Sequence, residues 1–224
     1  QQQLDRVMKY IEDRGMKFHL STTDFGHLGI FPEQRAQWAW IRKTVAEAVA
    51  KRKREVTVLN LFAYSGGSTL AAAMGGAKMW AAILALAASS VLNAALNGLE
   101  GIRWIVDDAH KFMQREIRRG RKYDGIILDP PTFGRGEGGE MYKIERDLMN
   151  TLKLCRDLLT DDPLFILLSS HTPGCTPQVL ENVIFQATAG IPGNAESGEM
   201  LLTGEDDVFP LPSGTFVRWT AKSK

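Results

Sequence analysis

Cysteine is scarce in this sequence, which contains only Cys155 and Cys175 among its 224 residues. Their spacing matches neither a metal-binding motif nor a disulfide framework, so the small disulfide-stabilised secreted domains and the zinc modules are excluded. We expect both thiols to be structural and the protein to work in a reducing compartment, the cytoplasm.

Long hydrophobic runs are also missing, and no segment resembles a secretory signal. The most apolar stretch, residues 79–96, is rich in alanine but contains Ser89, Ser90 and Asn93. A buried strand followed by a helix fits this stretch better than a membrane span. We therefore expect no membrane partner.

An excess of charge of either sign is absent, since 27 Lys and Arg balance 26 Asp and Glu. Nucleic-acid binding would then need a local basic patch. Residues 51–54 and 115–122 are the two basic runs. Each run fits a phosphate-binding face and a solvated helix end equally well.

From residue 56 onward, apolar strands alternate with helical segments, which predicts a mainly parallel sheet with helices on both faces. Two late strands, near residues 196–202 and 215–220, predict an antiparallel edge. Residues 1–54 form a predicted N-terminal extension with a helix over 4–14, strands at 18–21 and 28–31, and a helix from Pro32 to Lys51. Residues 55–224 form the main domain. Because the chain begins at Gln1, we expect it to be part of a longer polypeptide.

The most informative motif is the apolar run 126–128 that leads directly into Asp129, Pro130 and Pro131, followed by Phe133. The prolines end the strand and fix the turn, because they lack an N–H and have a restricted φ. Strand ends are where α/β sheets bind ligands. Asp129 and the neighbouring carbonyls can accept hydrogen bonds from an amine, and Phe133 can stack on a planar ring.

Two further strand ends carry polar groups. Residues 60–69 contain a Gly-Gly pair between a strand and a helix, where the backbone can approach a ligand closely. Neither G-x-G-x-x-G nor G-x-x-x-x-G-K-[ST] is present, which disfavours dinucleotide and triphosphate binding. Asp107 and Asp108 follow the strand 102–106 and can bind an adenine amino group or ribose hydroxyls, although Asp108 also fits a helix N-cap.

The order of these three strand ends resembles the class I S-adenosylmethionine-dependent methyltransferases, and more closely the branch of bacterial 23S ribosomal RNA methyltransferases. The segment 26–35 resembles the element that precedes the methyltransferase core in that branch, and the likeness covers roughly residues 18–220. It implies a Rossmann-like class I methyltransferase fold with a mainly parallel seven-stranded sheet, an antiparallel edge strand and helices on both faces. It also implies S-adenosyl-L-methionine as cofactor and RNA, most simply ribosomal RNA, as partner.

The resemblance assigns roles to particular residues. Asp108 would face the adenine amino group, and Asp129, Pro130 and Pro131 would face the acceptor, with Phe133 stacked on it. The residues implied to line the methionine part of the cofactor are Phe62, Tyr64, Ser65, Gly66, Gly67 and Ser68. Those implied to close the cofactor pocket from the side are Phe31, Glu33 and Arg35.

The sequence departs from the pattern of this branch in two places. Its members place an acidic residue for the ribose hydroxyls after the second core strand, but no Asp or Glu occurs between Lys78 and Glu100. Losing such a hydrogen bond would weaken cofactor binding by about 1.5–3 kcal/mol. Members that methylate C5 of a pyrimidine place a cysteine after the fifth core strand, where this chain has Ser169 and Ser170. A nitrogen or an undetermined acceptor is therefore favoured over C5.

Other functions remain compatible with these residues. One is a methyltransferase that acts on a small molecule or a protein, and another is a non-catalytic RNA-binding module on a degenerate methyltransferase fold. A nicotinamide-dependent oxidoreductase is a more distant alternative, since the phosphate-binding glycine pattern is missing. His171 could act as a general base, but a histidine in a loop is more often incidental.

Overall fold

The computed structural model describes residues 10–13, 15–19, 29–83, 87–135, 141–204 and 209–222. In chain order, the strands are β1 (Tyr10–Asp13), β2 (Met16–His19), β3 (Thr57–Leu61), β4 (Lys78–Ile83), β5 (Arg103–Val106), β6 (Gly125–Leu128), β7 (Phe133–Arg135), β8 (Met141–Lys143), β9 (Phe165–Ser170), β10 (Gly193–Leu202) and β11 (Leu211–Ala221). The α-helices are α1 (Arg35–Lys51), α2 (Gly67–Met74), α3 (Ala87–Leu96), α4 (Ala109–Arg118), α5 (Ile144–Asp157) and α6 (Pro177–Ala187).

The central sheet has seven strands in the order β10-β11-β9-β6-β3-β4-β5. The neighbours from β9 to β5 are parallel, whereas β11 is antiparallel to both β9 and β10. The predicted mainly parallel sheet with an antiparallel edge is therefore confirmed. In the parallel part, β3, β5, β6 and β9 end at the same edge of the sheet, as the motif argument requires.

Alternate strand residues pack on opposite faces of the sheet. Leu59, Leu61 and Leu128 belong to a core shared with α4, α5 and α6. Val58 and Ile127 point the other way, into a core shared with α1, α2 and α3. Because alternate residues of each strand face opposite sides of the sheet, helices cover both faces, as the sequence predicted.

The N-terminal segment differs from the prediction. Residues 10–13 form β1 rather than part of a helix, and β1 pairs with β2 in an antiparallel hairpin. Gly15, with φ of +82°, provides the left-handed conformation that such a tight hairpin needs. Residues 29–31 are not a strand, so the strand predicted at 28–31 is wrong for the described residues. Residues 20–28 lie outside them.

The extension packs directly on the sheet. Phe18 of β2 stacks on Trp38 of α1 with 5.0 Å between ring centroids. Both rings are buried in the same core as Val58 and Ile127. The boundary placed after residue 54 stays a prediction.

A buried carboxylate connects neighbouring segments at the edge of the sheet where the parallel strands begin. Asp124, just before β6, has a side chain that is 0% exposed and accepts hydrogen bonds from Arg54 and from Arg52, at 2.6 and 2.8 Å. It also accepts from the backbone N–H of Thr57 at 2.9 Å, at the start of β3. Arg52 further pairs with Asp162.

These ion pairs alter the interpretation of the basic runs. Two of the four cations in 51–54 hold Asp124, so this run stabilises the fold. In the second run, Arg115 pairs with Asp107 and Arg119 with Glu116. The hypothesis that the two runs form one phosphate-binding face loses much of its support.

Within the part of the chain that the structure describes, no helix is both long enough and apolar enough to cross a membrane. The stretch predicted as a buried strand plus helix is β4 followed by α3, which confirms that prediction.

Candidate active site

Two adjacent cavities occupy the carboxyl edge of the sheet. The larger has a volume of about 300 Å³ and is lined by Phe62, Asp108, Ala109, His110, Lys111, Gln114, Pro131, Gly134, Met141, Tyr142, Arg146 and Asp147. The smaller, of about 40 Å³, is lined by Phe31, Gln34, Trp38, Asn60, Phe62, Ala63, Tyr64, Ser65, Gly67, Ser68, Ile127, Asp129, Leu167 and Ser169. Phe62 lines both cavities, and the Asp-Pro-Pro turn places Pro131 in one and Asp129 in the other.

The turn after β3 is held in an uncommon backbone conformation. Phe62 and Tyr64 have φ of +62° and +47°, which non-glycine residues adopt rarely and at a cost of about 1–3 kcal/mol each. Two buried side chains of α3 fix the turn, since Ser90 donates to the carbonyl of Tyr64 and Asn93 to that of Ser65. The polar residues of the alanine-rich stretch therefore support the wall of the smaller cavity.

The two glycines in this turn are each required for a different structural reason. Gly66 has φ of +92°, so a side chain there would be strained. Gly67 begins α2 against the indole of Trp38, and a Cβ at this position would lie 2.7 Å from the ring. Only glycine therefore lets Trp38 and the turn line the same cavity.

We expect Gly67→Ala to push Trp38 out of place and to weaken S-adenosylmethionine binding by about tenfold or more, which corresponds to roughly 1.4 kcal/mol. Calorimetric titration measures this change. Gly98→Ala is the control for a destabilising alanine away from the cavities, because its φ of +64° strains an alanine but a Cβ there would meet nothing within 4 Å, so cofactor affinity should stay unchanged. Equal affinity for Gly67→Ala and the unmodified chain would contradict the assigned role of this contact.

Asp108 caps a helix, as its position suggested, whereas its role towards an adenine stays a prediction. Its Oδ1 caps α4 by accepting from the backbone N–H of Lys111 at 2.9 Å. The same residue lines the larger cavity, where its other carboxylate oxygen can accept from a ligand. The neighbouring Asp107 pairs with Arg115.

Asp129 is held from two sides at the end of β6. Its Oδ2 accepts from Nε2 of Gln34 at 3.2 Å, and the same amide group donates to Oγ of Ser169 at 3.0 Å. Its Oδ1 lies 3.6 Å from Nδ1 of His171. The carboxylate remains 29% exposed, so lone pairs are left for a substrate.

His171 is part of this site rather than incidental. Its Nε2 lies 2.9 Å from Oε1 of Glu33, which is buried. Contacts with Asp129 and Glu33 raise the pKa of His171 to about 10, against the opposing effect of burial. His171 is therefore an imidazolium at neutral pH and cannot take up a proton there.

The segment after the Asp-Pro-Pro turn forms a short hairpin of β7 and β8 beside the larger cavity. Phe133 is 60% exposed, and Nζ of Lys143 lies 6.0 Å from its ring centroid. Residues 136–140, between β7 and β8, lie outside the described residues.

The structure brings most of the predicted site residues to the two cavities, but five are not part of their linings. Pro130 is buried, Glu33 faces His171, Gly66 precedes α2 in the turn after β3, Phe133 is on the outer hairpin, and Arg35 is on α1. Sequence reasoning missed Gln34, Ser169 and Tyr142. Gln34 lies between Glu33 and Arg35, within the segment 26–35 that the resemblance indicated, and Ser169 lies at the end of the fifth core strand. The sequence positions of these two residues could therefore have identified them.

The larger cavity is lined by a tyrosine, Tyr142, whose hydroxyl can donate a hydrogen bond. The hydroxyl of Tyr142 is buried and makes no well-formed hydrogen bond with a described residue, although Thr151 lies close enough to affect its pKa. Burial raises the pKa of this phenol to about 12, so it stays protonated and can donate. An adenosine has acceptors for such a donor and an amino group for Asp108.

The two cysteines do not supply a nucleophile to these cavities. Cys155 is buried on α5, and burial raises its pKa to about 12, which leaves no thiolate at neutral pH. Cys175 packs at the border of the core formed with α4, α5 and α6. The structural role expected for Cys155 is confirmed, and neither cysteine lines the described cavities. In the described residues, no cluster of three or more His, Cys, Asp or Glu could hold a metal ion.

Comparison with known proteins identifies the family. The profile of the S-adenosylmethionine-dependent methyltransferases matches residues 6–188. The chain belongs to this family. The family, the fold class and S-adenosylmethionine as the cofactor are therefore confirmed.

Relatives of this methyltransferase chain include the ribosomal RNA large subunit methyltransferase K/L of Shewanella frigidimarina, 33% identical over 159 residues and covering 63% of this chain. The chain spans about a fifth of that relative's length, 19%. A crystal structure of a methyltransferase from Agrobacterium tumefaciens is 34% identical with a TM-score of 0.88 and covers 95% of this chain and 70% of its own. A Streptococcus mutans structure proposed to be a methyltransferase, at 21% identity and a TM-score of 0.76, covers 94% and 55% and shares the fold.

Proposed function

We propose that this chain transfers a methyl group from S-adenosylmethionine to a nitrogen of a base in large-subunit ribosomal RNA, in the cytoplasm. The observation that carries the proposal is the Asp-Pro-Pro turn between the two cavities, with Asp129 held as a hydrogen-bond acceptor. The ribosomal substrate is supported by the name of the Shewanella relative.

The residues that line the two cavities support one orientation of the cofactor. Asp108 and the Tyr142 hydroxyl in the larger cavity suit the hydrogen-bonding groups of the adenosine, and Phe62 and Tyr142 line the same cavity with aromatic surface. The turn from Phe62 to Ser68 lines the smaller cavity and suits the methionine part. Because Phe62 lines both, the reactive methyl group would lie near this residue and Asp129.

When bound, the cofactor supplies an already activated methyl group, so the protein acts mainly by alignment. An N–H of the acceptor base donates to the Asp129 carboxylate, which directs the nitrogen lone pair. The methyl group would come from the sulfonium of the bound cofactor, which would leave as a neutral thioether. The Asp129 carboxylate would stabilise the positive charge on the methylated nitrogen and accept its proton.

The acceptor side has features that suit a nucleic-acid base. Phe133, four residues after Asp129, offers an exposed ring, and base stacking on such a ring contributes about 1–3 kcal/mol. Lys143 lies over the same ring and can reach a neighbouring phosphate. The base has to leave its stack to enter the site.

The first test is calorimetric titration with S-adenosylmethionine of the unmodified chain, Asp108→Ala and Asp108→Asn. Asparagine keeps the N-cap but loses a carboxylate oxygen, so both variants should bind about tenfold or more weakly while Asp108→Asn stays as stable as the parent. Micromolar binding by the parent supports the cofactor site. A folded parent that binds none would favour the non-catalytic RNA-binding module.

The second test follows methyl transfer to a large-subunit ribosomal RNA transcript. Lys143→Glu should weaken RNA binding and lower its salt dependence, whereas Lys153→Glu, an exposed control on α5, should change both little. Binding of S-adenosylmethionine without methylation of the transcript would instead favour a small-molecule or protein acceptor.

A further inference from the structure

We propose that His171 is a positioning residue, which bridges Glu33 and Asp129 and holds the Asp129 carboxylate in the orientation that receives the acceptor nitrogen. Its effect on catalysis rests on the proposed methyl transfer, but the bridge can be tested without it.

The bridge joins three segments that are far apart in sequence. Glu33 lies in the turn before α1, Asp129 follows β6, and His171 follows β9. The two imidazole nitrogens face one carboxylate each, at 2.9 Å to Glu33 and 3.6 Å to Asp129. Because Gln34 already holds Oδ2 of Asp129, the contact of His171 with Oδ1 removes the remaining rotational freedom of the carboxylate.

Neighbouring contacts fix the imidazole itself. The ring of Phe31 packs against it with 5.6 Å between centroids. Next in sequence, Thr172 shares a hydrogen bond of 2.7 Å with Thr132, which connects the loops after β9 and β6. From β11, uncharged Gly214 approaches the ring so closely that a Cβ would lie 3.1 Å from it.

The charges around the ring explain its role. Glu33 and Asp129 are the charged groups that contact His171 among the described residues, and both favour the imidazolium. Because a cation bound between two carboxylates has no free lone pair, His171 cannot act as general base. The attraction between the positive charge of His171 and the Asp129 carboxylate helps to hold Oδ1 towards the imidazole.

Imidazole NMR titration of the full chain tests the bridge directly. The four histidines include His171, whose signal is assigned by its loss in His171→Gln. We expect His171 to titrate with a pKa of about 10 and this pKa to fall in Glu33→Gln and Asp129→Asn. Titration near the ordinary value of about 6.5 would overturn the proposal.

Enzyme kinetics test the effect of the His171 bridge on methyl transfer. His171→Gln should lower the turnover number about 10- to 100-fold while S-adenosylmethionine affinity stays within about twofold. His171→Lys, which keeps the charge, should recover part of the rate, and His19→Gln should behave as the parent. If His171→Lys is no faster than His171→Gln, the charge does not matter and the proposal fails. If the parent methylates no RNA, the proposed function fails, whereas the NMR titration still decides on the bridge.

Discussion

Asp129→Asn is expected to lower methyl transfer about 10²- to 10³-fold while the chain stays folded. The amide loses the attraction to His171 and can turn its NH₂ group towards the acceptor amine, where two donors repel each other. Although Asp129 lines the smaller cavity, its proposed role is to orient the acceptor, so cofactor affinity should change far less than the turnover number.

Single-turnover assays with saturating cofactor measure this loss. Asp161→Asn, an exposed carboxylate on the loop after α5, is the matched control and should keep the parent rate. A rate for Asp129→Asn within threefold of the parent would show that another group orients the acceptor.

Asp124→Ala should lower the free energy of unfolding by about 3–5 kcal/mol, the largest effect expected on stability. The substitution leaves Arg52, Arg54 and the N–H of Thr57 without their common buried acceptor. Asp162→Ala, which removes an exposed partner of Arg52, should cost less than about 1 kcal/mol. Urea unfolding monitored by circular dichroism compares the two, and equal losses would contradict the distinction.

The same carboxylate should make stability depend on acid. Burial alone would raise the pKa of Asp124, but hydrogen bonds from Arg54 and from the N–H of Thr57, together with the charges of Arg54 and Arg52, hold it below its ordinary value. Its contribution is then present above the unfolded value of 3.8 and is lost as the pH falls through the lower folded pKa. Asp124→Asn should show a smaller loss of unfolding free energy in this range, and an unchanged slope would contradict the assignment.

The sequence predicted the sheet because its strands are regular apolar runs separated by helices with clear caps. Thr176 caps α6 with Pro177 in its first turn, and Asp108 caps α4, as such residues usually do. The strand-end motifs followed, since parallel strands bring their carboxyl ends to one edge. Residues 10–13 were misassigned because their charges fit a helix, whereas pairing with β2 decides their conformation.

The contacts around Asp129 were less predictable because they depend on strand order. Gln34 and Ser169 are separated by 135 positions, and Glu33 and His171 by 138, so no local pattern connects them. The role of Arg54 depended in the same way on Asp124, 70 positions away. Unusual backbone angles at Phe62 and Tyr64 have no sequence signature either.

The contact of Asp129 with the segment before α1 has a consequence for how the protein loses activity when it begins to unfold. Gln34 and Glu33 contribute side chains but no strand to the central sheet, whose ladder runs from β10 to β5. Opening of this short segment would dismantle the acceptor site and leave the ladder of backbone hydrogen bonds in place. Hydrogen exchange should then show that this segment opens locally at a lower free energy than global unfolding. This local opening should limit catalytic activity. Activity would be lost on mild heating before the secondary structure melts.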